Sequence, residues 1–305
     1  MKAIDIGKSG LLASEISLGC MRIAELDQPA VDTLVNTALE VGIDYFDHSD
    51  VYSEGRCEEV FADAFYRSSF TREQVILQSK CGIRQGMFDF SREHILSAVE
   101  GILSRLKTDY LDVLLLHRPD TLMEPEEIAD AFSQLEQSGK VRHFGVSNMN
   151  PGQIDLLRRF VDQKIVANQL QLSLTNTGMI DSGINVNMQI DRSVDRDGSI
   201  LEYCRLHDIT IQAWSPFQYG FFKGVFLDND KFPELNRSID TLAEDKGVTN
   251  TAIAITWLLR HPAKMQPVVG TTNPGRVRDI AQASGVEMTR QEWYSLYLAA
   301  GNTLP

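Results

Sequence analysis

Residues 110–117, YLDVLLLH, decide the fold class, because five of the six residues from Leu111 to Leu116 are apolar and polar residues do not alternate with them. Such a run is typical of a parallel strand that helices bury on both faces. Helical patterns lie on either side of it. Ser91 is a candidate N-cap for a segment with apolar side chains three and four residues apart, and residues 126–137 repeat that spacing. The stretch therefore predicts a strand between two amphipathic helices.

The same alternation of strand and helix continues along the chain. Two more helical segments, residues 29–41 and 251–260, are followed by Gly42 and by Pro262, which are typical stop signals. Candidate strands lie at residues 16–19, 45–47, 75–80, 111–117, 142–147, 166–169, 210–214 and 267–270. Eight strands that alternate with helices predict an α/β protein, a closed (β/α)8 TIM barrel.

Three segments depart from this alternation. Residues 4–15 predict a hairpin that caps one end of the barrel. Residues 172–197 are polar with little periodicity, and residues 217–233 are aromatic with glycines, so both are expected to be long loops after the sixth and seventh strands. Barrel enzymes build their sites from such loops. No repeat or linker divides the chain, and a single domain over residues 1–305 is expected.

The composition excludes several classes of protein. The chain has 29 Lys and Arg against 42 Asp and Glu, and a net charge of −13 argues against binding nucleic acid or an anionic membrane surface as its main role. The first residues, MKAIDIGKSG, lack the apolar core of a secretory signal, and no apolar run approaches the ~20 residues of a membrane helix. We expect a cytoplasmic protein. The 4 cysteines form no CxxC pair, so neither a zinc ribbon nor a disulfide framework is predicted.

Four ionisable residues stand at or after predicted strands whose carboxyl ends are neighbours in a barrel: Asp47, Tyr52, Lys80 and His117. Taken singly, each has an ordinary structural interpretation as a turn former, a packing residue or a solvated residue. Taken together, they predict a proton-donating site for a carbonyl. Lys80 would lower the pKa of the Tyr52 phenol, Asp47 would keep Lys80 charged, and His117 would aim the carbonyl oxygen. The electrons must come from another group.

Seven motifs, in chain order and over nearly the whole sequence, resemble the aldo-keto reductase superfamily, and most of all its bacterial NADP-dependent oxidoreductase branch. They are FDHSDVY, LQSKCG, YLDVLLLH with RPD, GKVRHFGVSN, ANQLQ, AWSPF and PVVGTTNPGRVRDI. The resemblance implies a barrel that binds NADPH and transfers a hydride to an aldehyde or ketone. It also implies that Asp47, Tyr52, Lys80 and His117 are the catalytic group, with Tyr52 as the acid.

The cofactor is expected at the same face of the barrel. Neither the GxGxxG fingerprint of a Rossmann fold nor a GxxxxGK[ST] phosphate loop occurs. Hydroxyl and amide groups after the fifth and sixth strands could bind the nicotinamide carboxamide or simply be turn residues and caps. An aromatic residue after the seventh strand could stack on the ring or pack in the core, and it is a tryptophan where the family commonly has tyrosine. The candidate residues are Gly19, Cys20, Met21, Asp47, Ser147, Asn148, Gln169, Trp214, Ser215, Pro216, Phe217, Gly220 and Lys223.

The last cofactor segment follows the eighth strand. Its candidates are Gly270, Thr271, Thr272, Arg276 and Asp279, for a 2′-phosphate and for the adenine amino group. Pro274 opens a helix whose first amides suit an anion. Many relatives have a lysine where Gly270 stands. We therefore expect a preference for NADPH that is smaller than a site with both cations would give, with NADH use possible.

The substrate is expected to be a small carbonyl compound, apolar to amphipathic. Its candidate contacts are Met21, Tyr52, Phe88, His117 and Phe217, with the loop after Gln171 as an outer wall; packing accounts equally well for Met21 and Cys20. Two other classes stay open. A lyase would use Lys80 to form a Schiff base, and a binding module would sense the cofactor for a partner protein. We expect a monomer or a weak homo-oligomer, without nucleic-acid or membrane partners.

Overall fold

The computed structural model describes all 305 residues, and eight of its strands form a closed barrel. The strands are β1 (Ala3–Ile6), β2 (Leu11–Ser14), β3 (Ser17–Gly19), β4 (Tyr45–Asp47), β5 (Ile76–Cys81), β6 (Ile83–Arg84), β7 (Met87–Phe88), β8 (Leu111–Leu116), β9 (Val141–Ser147), β10 (Ile165–Gln171), β11 (Thr210–Trp214) and β12 (Gln266–Val269). Strand β8 is buried along its whole length. Each of the eight predicted barrel strands is confirmed, with ends that agree to within about two residues, the ordinary uncertainty of a strand end.

The barrel closes in chain order, through β3, β4, β5, β8, β9, β10, β11 and β12. Every neighbouring pair is parallel, and β12 returns to β3 through the register pairs Val268 with Ser17 and Val269 with Leu18. Because all eight strands run the same way, their carboxyl ends meet at one face of the barrel. This is the predicted (β/α)8 TIM barrel.

Eleven α-helices connect and cover the strands. They are α1 (Gln28–Glu40), α2 (Arg56–Phe65), α3 (Arg92–Leu106), α4 (Pro125–Gln137), α5 (Pro151–Arg158), α6 (Gly178–Ile184), α7 (Ile200–Leu206), α8 (Pro233–Lys246), α9 (Asn250–Leu259), α10 (Pro274–Ala281) and α11 (Arg290–Ala299). The four predicted helices correspond to α1, α3, α4 and α9. Ser91 caps α3, since its Oγ accepts a bond from the backbone N–H of His94 at 3.3 Å. None of the helices has the length and apolar character that crossing a membrane needs.

Strands β1 and β2 form the predicted hairpin and close the amino end of the barrel. They pair in antiparallel fashion, and Ile6 and Ala13 belong to one buried cluster with the barrel residues Tyr45 and Val166. At Gly7, where φ is +61°, a Cβ would lie 2.5 Å from the carbonyl oxygen of Val166. Only glycine tolerates both this φ and this approach. The hairpin therefore seals one end of the barrel.

Residues 172–197 differ from the loop that was predicted, because they contain α6 and a 3-10 turn at Asp191–Ser193. Long-range bonds hold this segment. Tyr297 Oη of α11 donates to Asp181 Oδ1 at 2.7 Å, and Arg192 pairs with the other oxygen of the same carboxylate at 3.2 Å. A helix of seven residues has little stability of its own, so contacts far along the chain, rather than local periodicity, account for it.

Two tryptophans join the helices of the outer layer. The rings of Trp257, in α9, and Trp293, in α11, stack with centroids 4.8 Å apart and planes inclined by 8°. Each indole N–H donates to the other residue's backbone carbonyl, at 3.1 and 3.0 Å. A stacked pair with both N–H groups bonded is a stable contact inside a protein.

Candidate active site

A cavity of about 650 Å³ opens at the carboxyl end of the barrel. Small-molecule and cofactor sites are typically of this size, roughly 300–1,000 Å³. Many of the residues predicted from the sequence share this cavity. Its lining includes Gly19, Met21, Asp47, Tyr52, His117, Ser147, Asn148, Gln169, Trp214, Ser215, Pro216, Phe217, Gly270, Thr271 and Arg276.

The remaining predicted residues lie outside the lining: Cys20, Lys80, Phe88, Gly220, Lys223, Thr272 and Asp279. Cys20 and Lys80 are fully buried, whereas Phe88 is 45% exposed on β7. The loop after Gln171 is not in the lining; its residues Ser173 and Thr175 donate to the backbone carbonyl of Gln218, which is in the lining, at 2.7 and 3.2 Å. Phe222, Val225 and Leu227, from the loop after β11, are in the lining instead.

Asp47, Lys80 and Tyr52 form a continuous chain of hydrogen bonds at the cavity floor. Lys80 Nζ donates to Asp47 Oδ2 at 2.8 Å and to Tyr52 Oη at 3.1 Å. Its third bond goes to the backbone carbonyl of His48, at 2.8 Å. An ammonium has three donors, and here all three are used. Lys80 is therefore fixed between the carboxylate and the phenol.

Tyr52 begins a tight turn, Tyr52–Gly55, between β4 and α2. Ser53 and Glu54 have φ of 49° and 57°, in the left-handed region that non-glycine residues rarely adopt. Gly55, at φ +85°, packs so closely on Arg105 that a Cβ would lie 2.6 Å from its Cδ. Backbone in such regions is often found at functional sites, where the surrounding structure maintains it.

A layer of glutamines in the barrel interior holds the other oxygen of Asp47. Gln78 and Gln169 donate their side-chain N–H groups to Asp47 Oδ1, at 2.6 and 3.0 Å. The Oε1 of Gln212 accepts from both of these amides, and Gln212 itself donates to Gln266 at 2.9 Å. All four glutamines are buried. The two amide donors fix the position of the carboxylate, and within the network only Gln169 Oε1 has no protein donor.

Burial and charge act in opposite directions on the pKa values of Lys80 and Tyr52. Burial would lower the pKa of Lys80, but Asp47 and Tyr52 outweigh it and raise this pKa above its ordinary value. For Tyr52 burial is the larger effect, so the pKa of the phenol is raised although Lys80 lowers it in part. Lys80 thus lowers the pKa of Tyr52 as predicted, but burial, which the sequence did not reveal, is the larger effect and leaves the pKa of the phenol above its ordinary value. At neutral pH the site holds an ammonium and a protonated phenol.

The lyase interpretation requires Lys80 to be a neutral, nucleophilic amine. Its raised pKa keeps the proton on, and the three bonds of Nζ leave the group no freedom to attack a carbonyl. The geometry argues against a Schiff base at this residue.

His117 stands beside Tyr52 as a neutral imidazole. The two rings meet edge to face, with centroids 5.9 Å apart. Burial, together with the charges of Lys80 and Arg118, puts the pKa of His117 well below its ordinary value. Its Nδ1 lies 3.0 Å from Ser49 Oγ. With Nδ1 bound in this way, Nε2 is the ring nitrogen free to meet a ligand.

A half-buried acid, Asp50, and a buried acid, Glu58, lie near Ser49. Ser49 Oγ lies 3.2 Å from Asp50 Oδ1 and 3.0 Å from His117 Nδ1, and its one proton serves one of these acceptors at a time. Glu58 accepts bonds from Ser79 Oγ at 2.6 Å and from Arg105 Nε at 2.7 Å. Burial, followed by the charge of Glu58, raises the pKa of Asp50 to about 6. This carboxyl group therefore changes its charge near neutral pH.

A polar and aromatic wall lies at the ends of β9, β10 and β11. Ser147 Oγ donates to the backbone carbonyl of Gln169 at 3.0 Å, and Asn148 Nδ2 donates to Ser147 Oγ at 2.7 Å. The indole N–H of Trp214 donates to Asn148 Oδ1 at 3.1 Å, and Phe222 stacks on the indole with centroids 5.9 Å apart. No protein group donates to Gln169 Oε1. The wall offers a flat aromatic face and a free amide acceptor, which suit an aromatic ring that carries an amide.

A cationic edge lies at the end of β12 and the start of α10. Arg22 donates to the carbonyl of Gly270, and Arg276 lines the cavity without an acidic partner. An anion was predicted at the first amides of α10. In the structure, however, the N–H groups of Gly275 and Arg276 donate to Asn273 Oδ1 at 2.8 and 3.3 Å. The N-cap thus occupies the amides that an anion was expected to use. Side-chain cations and Thr271 are what this edge offers to a phosphate.

Sequence reasoning missed several lining residues. They are Arg22, Val51, Ile83, Arg118, Gln218, Phe222, Val225, Leu227, Asp228, Thr251 and Val268. Two of them carried a signal, since Arg118 directly follows His117 and Arg22 comes three residues after β3. A charged residue just beyond a barrel strand is a candidate for the site.

Comparisons with known proteins agree with this geometry. The chain matches the family model of the Aldo/keto reductase family over residues 15–297. Oxidoreductase YdhF of Escherichia coli (strain K12) is 32% identical over 311 residues, with 98% of each chain covered. A 6-dehydroglucose reductase of Novosphingobium aromaticivorans is 31% identical, with 98% of this chain and 96% of the relative covered. The crystal structure of an aldo-keto reductase from Klebsiella pneumoniae in complex with NADPH has a TM-score of 0.77 at 23% identity, over 97% of this chain and 93% of that one.

The family model spans the barrel from before its first strand to its last helix, and the relatives are similar over nearly their full length. Both relatives are named as enzymes, which favours an enzyme over a cofactor-sensing module. The chain belongs to the aldo/keto reductase family and is an oxidoreductase of that type.

Proposed function

We propose that the protein reduces an aldehyde or ketone to an alcohol with NADPH, and that Tyr52 is the general acid. The observation that carries this proposal is the hydrogen-bonded chain from Asp47 through Lys80 to Tyr52, which ends at a phenol in the cavity lining. Bound NADPH would supply a hydride to the carbonyl carbon. The protein's part is to hold the carbonyl and to give its oxygen a proton.

Tyr52 is suited to this part because it is protonated at neutral pH and bonded to a cation. Burial raises the pKa of the phenol, so a proton is present to be transferred. As negative charge develops on the carbonyl oxygen, Tyr52 gives up its proton. The ammonium of Lys80, 3.1 Å from Oη, then stabilises the phenolate. A proton from solvent restores the phenol, so each turnover consumes one proton with one hydride.

His117 would orient the carbonyl oxygen. The imidazole is neutral. When the single hydroxyl proton of Ser49 is donated to Nδ1 rather than to Asp50, the ring proton lies on Nε2, from which the ring would donate a hydrogen bond to the substrate without adding a charge. A bond of this kind, aimed at the developing oxyanion, is a common source of catalysis.

The residues present fit a nicotinamide dinucleotide. Trp214 would stack on the nicotinamide ring, and Asn148 and Gln169 would bind its carboxamide. The loop of residues 215–224 would cover the pyrophosphate, with Thr271 and Arg276 at the 2′-phosphate. The Klebsiella relative, which was solved with NADPH, and the cationic edge at Gly270 both support NADPH as the preferred cofactor.

The test of the acid is Tyr52→Phe, assayed by NADPH absorbance with a panel of aldehydes and ketones. Turnover should fall roughly 10²- to 10⁴-fold, the usual worth of general acid catalysis, while the calorimetric Kd for NADPH stays nearly constant. Tyr66→Phe is a matched control, because the Tyr66 phenol donates only to the Lys107 backbone carbonyl at the surface. Unchanged turnover in Tyr52→Phe would remove Tyr52 from the mechanism. Tighter binding of NADH than of NADPH would refute the cofactor preference.

A further inference from the structure

Arg118 is a half-buried cation for which the protein provides no acceptor. Its guanidinium has no carboxylate within 4.0 Å and makes no hydrogen bond to the protein. It lies over the ring of Trp214, with 5.8 Å between Cζ and the ring centroid. The other arginine side chains without a protein acceptor, Arg159, Arg205, Arg276 and Arg290, are exposed, and water can satisfy their donors. Arg118 is thus partly desolvated, and no protein hydrogen bond or ion pair compensates.

The loss of hydration has an energetic meaning. A guanidinium presents five N–H donors and keeps its charge in proteins. Taking such a charge partly out of water is unfavourable unless a partner compensates. Burial lowers the pKa of Arg118, which reflects the same loss of hydration. An anionic ligand in the cavity could supply the acceptors and the counter-charge that the protein does not provide.

Arg118 belongs to the catalytic part of the cavity rather than to the expected phosphate edge. It directly follows His117 at the end of β8, in the same cavity lining as Tyr52. In the closed barrel β8 and β12 are four strands apart in either direction, so they stand on opposite sides of the opening. Gly270 and Arg276 lie on the β12 side.

The charges near Arg118 leave this part of the cavity positive. The acid at the cavity floor, Asp47, is paired with Lys80 at 2.8 Å. The other acid in the lining, Asp228, is exposed and already accepts a bond from Asn250 Nδ2 at 3.1 Å. Arg118 is thus an unneutralised cation in a partly water-excluded space, where Coulomb attraction is stronger than in bulk water.

We propose that Arg118 binds an anionic group of the substrate, so that the preferred substrates are aldehydes or ketones that carry a carboxylate or a phosphate. This inference rests on the proposed carbonyl reduction and adds the substrate class. The planar fork of a guanidinium matches both oxyanions in two parallel hydrogen bonds. The carbonyl would lie at Tyr52 and His117, with the anion held beside Trp214.

The experiment compares pairs of substrates that differ only in the charge. Glyoxylate, succinic semialdehyde and 5-oxopentanoate are each assayed against their methyl esters, and glyceraldehyde 3-phosphate against glyceraldehyde, with NADPH at saturation. Three proteins are used: the wild type, Arg118→Met and Arg118→Lys. Arg159→Met is the matched control, since it removes an equally unpaired arginine from the outer surface.

In the wild type, kcat/KM for at least one anion should exceed that for its neutral partner by roughly 10- to 100-fold, the range expected of charge-assisted hydrogen bonds. Arg118→Met should bring the ratio of the two kcat/KM values, anion over neutral partner, close to one, mainly through a change in KM. Arg118→Lys should keep part of this ratio. Arg159→Met should keep all of it. The carboxylate and phosphate pairs show which oxyanion is preferred.

Three results would overturn the inference. In the first, the neutral partners have kcat/KM values that match or exceed those of the anions at every chain length. In the second, Arg118→Met leaves the ratio of kcat/KM for anion and neutral partner unchanged, and in the third the Kd for NADPH also rises in that variant while the ratio stays constant. The last result would assign Arg118 to the cofactor. Failure of the proposed function looks different, because then neither member of any pair would be reduced.

Discussion

Replacing Asp47 by Asn leaves the ammonium of Lys80 buried without a counter-charge. The side chain of Lys80 is 0% exposed and that of Asp47 is 3% exposed, and Lys80 Nζ lies 2.8 Å from Asp47 Oδ2. Removing one partner of such a pair typically costs about 3–5 kcal/mol. The alternative for the variant, loss of the Lys80 proton at pH 7, costs a similar amount, about 4–5 kcal/mol from an ordinary pKa near 10.4. We therefore expect Asp47→Asn to be about 3–5 kcal/mol less stable at pH 7.

The pH dependence of this difference is the sharper part of the prediction. In the wild type the raised pKa of Lys80 contributes stability at all pH values below its ordinary pKa. In Asp47→Asn the charge of Asp47 no longer opposes the effect of burial and only Tyr52 does, so the pKa of Lys80 should fall below its ordinary value. The unfolded chain then binds the proton more tightly than the folded one, and the variant gains stability as pH rises. The difference between the two proteins should shrink between pH 7 and about 10.

Urea unfolding at several pH values measures the difference. Asp63→Asn is the control, because its partner Lys107 is exposed and exposed pairs contribute about 1 kcal/mol or less. A difference below about 1 kcal/mol for Asp47→Asn, or a difference that stays constant from pH 7 to 10, would refute the view that a buried ion pair fixes Lys80.

Two other substitutions test neighbouring features. Asp50→Asn should stabilise the protein at pH 7–8, by up to about 3 kcal/mol, because burial raises the pKa of Asp50 to about 6 and folding then disfavours its ionised form. The gain in stability should fade as the pH drops from 6 to 4. A gain that persists at pH 4 would contradict this cause. Gly270→Lys should tighten the binding of NADPH more than that of NADH, by roughly threefold to tenfold, because the ammonium would contact the 2′-phosphate. A side chain fits there, since a Cβ at residue 270 meets nothing closer than 4.0 Å. Calorimetric titration with both cofactors measures it, and equal tightening of both would contradict a contact with the 2′-phosphate.

The barrel could be predicted because each of its strands carries a local signal. The apolar run of β8 and the hairpin before β3 are visible in a few consecutive residues. Helix α6 was not visible, because its stability depends on Tyr297, which is 116 residues from Asp181, and on Arg192, which lies outside the helix. Where an element depends on contacts between distant residues, periodicity within the element cannot reveal it.

The candidate site divides in the same way. Asp47, Lys80 and His117 could be placed together, because strand ends that are neighbours in a barrel bring their side chains together. The bonds of Asp47 to Gln78 and Gln169 could not be predicted, although glutamines within buried strands gave a hint. The direction of the Tyr52 pKa was also out of reach, since it depends on how much water the fold removes from the phenol.

The 3 tryptophans of the chain divide between two environments. Trp257 and Trp293 are buried and stacked on each other, whereas Trp214 alone lines the cavity, near Phe222 and Arg118. When a ligand that does not absorb the indole emission enters, a change in indole fluorescence therefore originates from Trp214, over a constant background from the other two tryptophans. The wild-type protein contains its own optical probe of occupancy, and it requires neither a label nor a substitution.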